Sequence, residues 1–179
     1  MAKKNPKKKL VSQKKINTIL IFLITLNLLA IPLYAIIYYN VSFEPMQNLI
    51  SSVSFSIFKT LGYDATLDGK NIYILVDDKI LQIEISWDST GWKSLYILSV
   101  LVLATPAANS NRKLMFLLFA LPAIFLINLA RILTTITISL NYGLQYFDLL
   151  HLFLWRAVSI VVVVGFWYVF LKREKYNIR

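Results

Sequence analysis

The sequence predicts a mainly α-helical integral membrane protein, with about four transmembrane helices, an extracytoplasmic amphipathic helix and a small β-hairpin or sheet. Three observations predict it. Of 179 residues, 58% are hydrophobic and only 16% are charged, far from the balance of a soluble domain. Four apolar stretches, 16–39, 92–107, 114–140 and 149–171, stand clear of the loops, and most are long enough to cross a hydrocarbon layer of ~30 Å. The charges are also sorted by position. Seven lysines precede the first stretch, Arg112 and Lys113 separate the second from the third, and Lys172, Arg173, Lys175 and Arg179 follow the fourth. With four spans these positions share one side, the positive-inside pattern that puts both termini in the cytoplasm. The acids Glu44, Asp64, Asp68, Asp77, Asp78, Glu84 and Asp88 fall in the one long loop left outside. The net charge of +10 therefore reads as topology and not as a nucleic-acid surface.

Taken in order, residues 1–15 form a cytoplasmic basic tail suited to anionic lipid. The apolar run that follows is too long for a typical signal-peptide core and lacks an A-x-A site, so it reads as an uncleaved anchor. Residues 16–171 make a single membrane domain, with the segment 44–90 inserted between spans one and two, and 172–179 form a second basic tail. Met46, Leu49, Ile50, Val53, Ile57, Phe58 and Leu61 recur at helical spacing, with Gln47, Asn48, Ser51, Ser52 and Ser54 mostly opposite, which predicts an amphipathic helix ended by Gly62. The alternating runs 71–76 and 80–85, joined across Asp77 and Asp78, predict a hairpin or three-stranded sheet. The second run leads through 86–91 into the short second span. Pro122 interrupts the third span, where neighbouring helices can satisfy the freed backbone groups.

Three polar residues fall at one depth. Ser89 lies in the turn Asp88-Ser89-Thr90-Gly91 at the head of the second span. Arg131 lies about 25 Å up the third span at ~1.5 Å per residue, and His151 lies at the head of the fourth. An arginine within a span costs about 2.5–3.5 kcal/mol on insertion scales, so it should face the bundle interior and a partner. Alone, Arg131 fits an ion pair with Asp148, His151 an interfacial histidine bonded to a carbonyl, and Ser89 a turn or cap residue. Their convergence favours a site. A hydroxyl or thiol at a helix N-terminus, a histidine to take its proton and a fixed cation to polarise a carbonyl supply the parts for acyl transfer. Arginine does not deprotonate in proteins, so His151 must be the base. Asp88 either orients His151 or serves as a helix-start acid. No cysteine and no acidic cluster at ligand spacing accompany the single histidine, so the sequence calls for neither metal nor cofactor.

The order of Thr90-Gly91 at the head of a span, then Asn128-x-x-Arg131, then His151 at the head of the last span resembles the exosortase/archaeosortase family over roughly residues 44–171. The resemblance implies a membrane transpeptidase-like enzyme. Its partners would be secreted proteins bearing a C-terminal sorting signal made of a short motif, a transmembrane helix and a basic cluster. The enzyme would cleave that signal on the extracytoplasmic side of the cell membrane and transfer the protein to an anchor, often a lipid. By motif, Ser89 stands where the family has a nucleophilic Cys, Arg131 is its Arg and His151 its third residue, with Arg156 a stand-in for the last. Asp88, Thr90, Gly91 and Asn128 would support the site. Serine needs stronger activation than a thiol. Two explanations fit, a Cys-to-Ser replacement that stops turnover or a natural variant that uses serine or has lost catalysis, and the reading leans to a disabled nucleophile.

Two other classes compete. One is a non-catalytic protein that captures transmembrane tails on the same fold. The other is a small export component in which Arg131 binds an anionic solute. It ranks last, because 116–127 and 158–169 are almost wholly apolar where a solute path would need polar groups.

Overall fold

The computed structural model describes residues 6–76, 79–106, 108–143 and 157–177. Helix α1 (Pro6–Tyr38) is followed by α2 (Glu44–Thr60), then by strands β1 (Ala65–Asp68), β2 (Asn71–Val76) and β3 (Lys79–Glu84). A short 3-10 turn, Trp87–Thr90, leads into α3 (Trp92–Ala104), α4 (Ser110–Tyr142) and α5 (Ser159–Asn177). Asp77, Asp78, Asp148, His151 and Arg156 lie outside the described residues. Among the described residues, Lys15–Tyr38 and Ser110–Tyr142 are long and apolar enough to cross a membrane.

Helix α3 is shorter than the predicted second span, with 13 residues where 92–107 was expected. Thr105 takes an extended conformation (φ −65°, ψ 113°) and ends the helix. Pro106 explains this, because a proline ring clashes with a helical residue before it. At ~1.5 Å per residue, α3 covers about 20 Å. It is nevertheless central to the bundle. Tyr96 Oη donates to the Leu29 carbonyl of α1 at 2.7 Å, and Trp167 Nε1 of α5 donates to Thr105 Oγ1 at 3.2 Å. Leu98 and Val102 of α3 share an apolar core with Leu117, Ala120 and Ile124 of α4 and Val163 and Phe170 of α5. Arg112 Nη1 and Glu174 Oε2, 3.4 Å apart, tie α4 to α5 at one end.

Helix α4 continues through Pro122 for 33 residues, about 50 Å at ~1.5 Å per residue, and so outruns a ~30 Å hydrocarbon layer. Its lower half belongs to the bundle. The upper half enters a second core, where Leu129, Ile132 and Ile136 meet Ile50 and Phe58 of α2 and Ile72, Ile74 and Ile85 of the sheet segment. Burying each such side chain contributes about 1.5–3 kcal/mol.

The sheet is antiparallel, in the order β1-β2-β3. Pairings such as Leu67↔Ile72 and Ile72↔Ile83 put one apolar face toward α2 and α4. Lys70 and Glu84, 2.6 Å apart, clamp the start of β2 to the end of β3. The hydrogen bond to Glu84, with its charge, raises the Lys70 ammonium above its ordinary pKa.

The buried face of α2 corrects the amphipathic expectation. Gln47, Ser51 and Ser54 are buried beside Ile50 and Phe58, whereas Leu49 and Leu61 are exposed. Polar partners account for the choice of face. Ser51 Oγ bonds to the Gly69 carbonyl at 2.7 Å, and Gln47 Nε2 to the Ile85 carbonyl at 2.9 Å. These bonds let small and polar side chains bring the helix close to the sheet, which apolar periodicity alone does not register.

Candidate active site

The turn between β3 and α3 is fixed residue by residue. Ile85 N–H donates to the Lys70 carbonyl at 3.0 Å, continuing the β2–β3 ladder one residue past the strand. The Ile85 carbonyl is held by Gln47 of α2, so the chain enters the turn from a rigid point. Ser86 then caps the 3-10 turn: Ser89 N–H donates to the Ser86 carbonyl at 3.0 Å and to Ser86 Oγ at 3.3 Å. Serine suits this position because its short side-chain oxygen can accept an otherwise unmet backbone donor. Thr90, fully buried, returns its hydroxyl to the Trp87 carbonyl at 2.7 Å.

Gly91 turns the chain into α3. Its φ of +78° lies in the left-handed region that side chains resist. A Cβ there would also lie 2.7 Å from Asn128 Cγ. The Thr-Gly pair therefore combines an internal hydroxyl tie with a close approach of backbone to α4.

That approach serves a specific contact. Asn128 and Arg131 stand three residues apart, on one face of α4. Asn128 Nδ2 and Arg131 Nη2 each donate to the Ser89 carbonyl at 3.0 Å. A carbonyl oxygen has two lone pairs, so two donors match its capacity. Ser89 and Asn128 are both buried, at the level where the two apolar cores meet, and hydrogen bonds gain strength where water is excluded. The Ser89 hydroxyl lies 2.7 Å from the Ser86 hydroxyl.

Five predicted residues, Ser89, Thr90, Gly91, Asn128 and Arg131, thus come together. One guanidinium nitrogen of Arg131, Nη2, is on the carbonyl of Ser89 itself. Asp88 faces outward and pairs with Lys93 at 2.8 Å, in the manner of a helix-start acid. His151 and Arg156 lie outside the described residues. Two contributors were missed, Ser86 and Gln47. The Ser-x-x-Ser spacing of Ser86 and Ser89 is a capping signal that could have revealed the first.

Cavities flank Arg131 on two sides. A notch of about 30 Å³ is bounded by Ile83, Glu84, Ile85, Ser89, Arg131 and Ile132. A pocket of about 240 Å³ lies between α4 and the start of α5, lined by Asn128, Arg131, Thr134 and Ser159 among others. Farther down the same helix pair, an apolar groove of about 1130 Å³ ends at Arg112 and Arg173.

No curated protein and no solved structure matches the chain. Residues 10–171 match the family model described as Transmembrane exosortase (Exosortase_EpsH). That match takes in most of α1, the whole turn, Asn128, Arg131 and most of α5, and by it the chain belongs to the transmembrane exosortase family.

Proposed function

We propose that this protein is a membrane transpeptidase of the archaeosortase type, built to cleave the C-terminal sorting signal of secreted proteins and to pass them to an anchor, with a membrane lipid as one acceptor. Family membership supports the reaction class. The observation that carries the assignment of the site is the pair of donors from Asn128 and Arg131 on the Ser89 carbonyl. They fix residue 89 between the end of a strand and the head of a helix.

In this reading the chain crosses the cell membrane four times, with both tails cytoplasmic and the sheet, α2 and the turn outside. The side chain at position 89 attacks the carbonyl carbon of the scissile peptide bond while His151 takes its proton. The C–N bond then breaks, and the proton on His151 goes to the departing amine of the tail. The acceptor's nucleophile then gives its proton to His151 and attacks the acyl carbon, the bond to residue 89 breaks, and His151 returns the proton to residue 89. Arg131 positions the turn and keeps a positive charge beside the reacting carbonyl.

Serine at position 89 is the departure from the family pattern, and its consequence is measurable. This chain, Ser89→Cys and Ser89→Ala are each co-expressed with secreted proteins ending in a tripartite signal, and loss of the tail is followed. Processing by Ser89→Cys alone identifies a transpeptidase disabled at its nucleophile. Processing by the serine form and not by alanine identifies a serine enzyme.

A second reading, a non-catalytic protein that holds substrate tails, draws on the Ser89 hydroxyl, which lies 2.7 Å from the Ser86 hydroxyl and so serves as an internal tie of the turn. It prevails if bound tails survive intact with all three side chains.

A further inference from the structure

We propose that the outer edge of β3 is a docking strand, on which the extended stretch preceding a substrate's transmembrane tail adds as a parallel fourth strand. This rests on the transpeptidase reading above and specifies how the substrate reaches residue 89.

The first observation is the edge itself. β3 is last in the sheet order, and among the described residues its outward backbone groups make no hydrogen bond. Ladder alternation identifies those groups. Since Ile85 N–H bonds back to Lys70, the N–H and C=O of Glu84, Gln82 and Ile80 point away from β2.

The second observation is that the edge is poorly defended. Exposed edges are usually blunted by proline, bulges or central charges, because they template pairing with another chain. β3 reads Lys-Ile-Leu-Gln-Ile-Glu, with its charges only at the ends and Glu84 already engaged by Lys70. Ile80 is 72% exposed. Such an edge fits strand addition, in which main-chain bonds supply affinity for an extended peptide.

The third observation is where the edge leads. The last residues of β3, Ser89 and Arg131 border one notch, so a peptide lying along β3 is delivered to the turn. Direction follows from topology. β3 runs into α3, from the sheet toward the bundle, and a substrate whose membrane anchor is C-terminal must run the same way. The added strand is therefore parallel to β3. Six residues at ~3.3 Å each give an edge of about 20 Å, enough for a short recognition motif.

The chain contains no cysteine, which allows a direct test in the full-length protein. Single cysteines are introduced as Ile80→Cys, Gln82→Cys and Glu84→Cys, with Thr66→Cys on β1 as the control. Each is paired with a reporter ending in the tripartite tail of a secreted protein from the same organism and carrying one cysteine at successive positions before its apolar span. Disulfide formation should occur at every second reporter position from Gln82→Cys. It should move toward the tail with Glu84→Cys and away from it with Ile80→Cys, and Thr66→Cys should give none. Movement in the opposite sense, or no edge crosslinks while the reporter still copurifies or is processed by Ser89→Cys, overturns the docking strand and leaves the transpeptidase reading standing. A reporter that is neither retained nor processed removes that reading and the docking strand with it.

Discussion

The Asn128 carboxamide reaches across 39 residues of sequence to donate a 3.0 Å hydrogen bond to the backbone carbonyl of Ser89. It therefore recognises the path of the chain at position 89 and not the side chain there.

Asn128→Ala should destabilise the protein by about 0.5–1.5 kcal/mol, because it removes one of the two donors on the Ser89 carbonyl while Arg131 retains the other. Denaturant or thermal unfolding in detergent measures this. An unchanged midpoint would remove Asn128 from the supports of the turn.

Gly91→Ala should cost about 1–3 kcal/mol from its left-handed φ, and more from the clash with Asn128. The two contributions separate in a double-mutant cycle. With Asn128→Ala present, the clash should vanish and the conformational cost remain, so the two changes together should cost less than their sum.

Ser86→Ala made on Ser89→Cys should shift the thiol's titration upward. At 2.7 Å the Ser86 hydroxyl is placed to donate to a thiolate at position 89, and a bond to the charged form lowers its pKa. Removing that donor therefore raises the pKa. The rate of alkylation of the single thiol as a function of pH reads the shift directly, and a midpoint that falls or stays fixed would contradict the proposed contact.

Gln47→Ala should loosen the turn from the side of α2. The buried Ile85 carbonyl loses its donor, again a cost of about 1–3 kcal/mol. Amide exchange should accelerate through Ser86–Thr90 more than in the lower bundle, and uniform acceleration would count against a local role.

Much of this arrangement was legible in the sequence because it rests on local signals. The alternation in 71–76 and 80–85 gave the strands, and the three-residue interval from Asn128 to Arg131 put both on one face of α4. Other parts depend on tertiary partners. Gln47 looked like a solvent-facing residue of an amphipathic helix, and only the approach of β3 makes it a buried donor. The early end of α3 was written in Thr105-Pro106, but the apolar pattern ran on past it. The target of Arg131 could not be read from spacing, since a guanidinium at that depth can face a substrate or its own chain.

The reach from α4 to the turn also sets an order of events during biosynthesis. Asn128 and Arg131 follow Ser89 by 39 and 42 residues, so the ribosome completes the turn and α3 well before either donor exists. A nascent chain that ends before α4 holds residue 89 with its carbonyl lacking both donors. The support of the turn is thus completed only by α4, and truncated chains that stall before Asn128 carry the turn without its two side-chain donors.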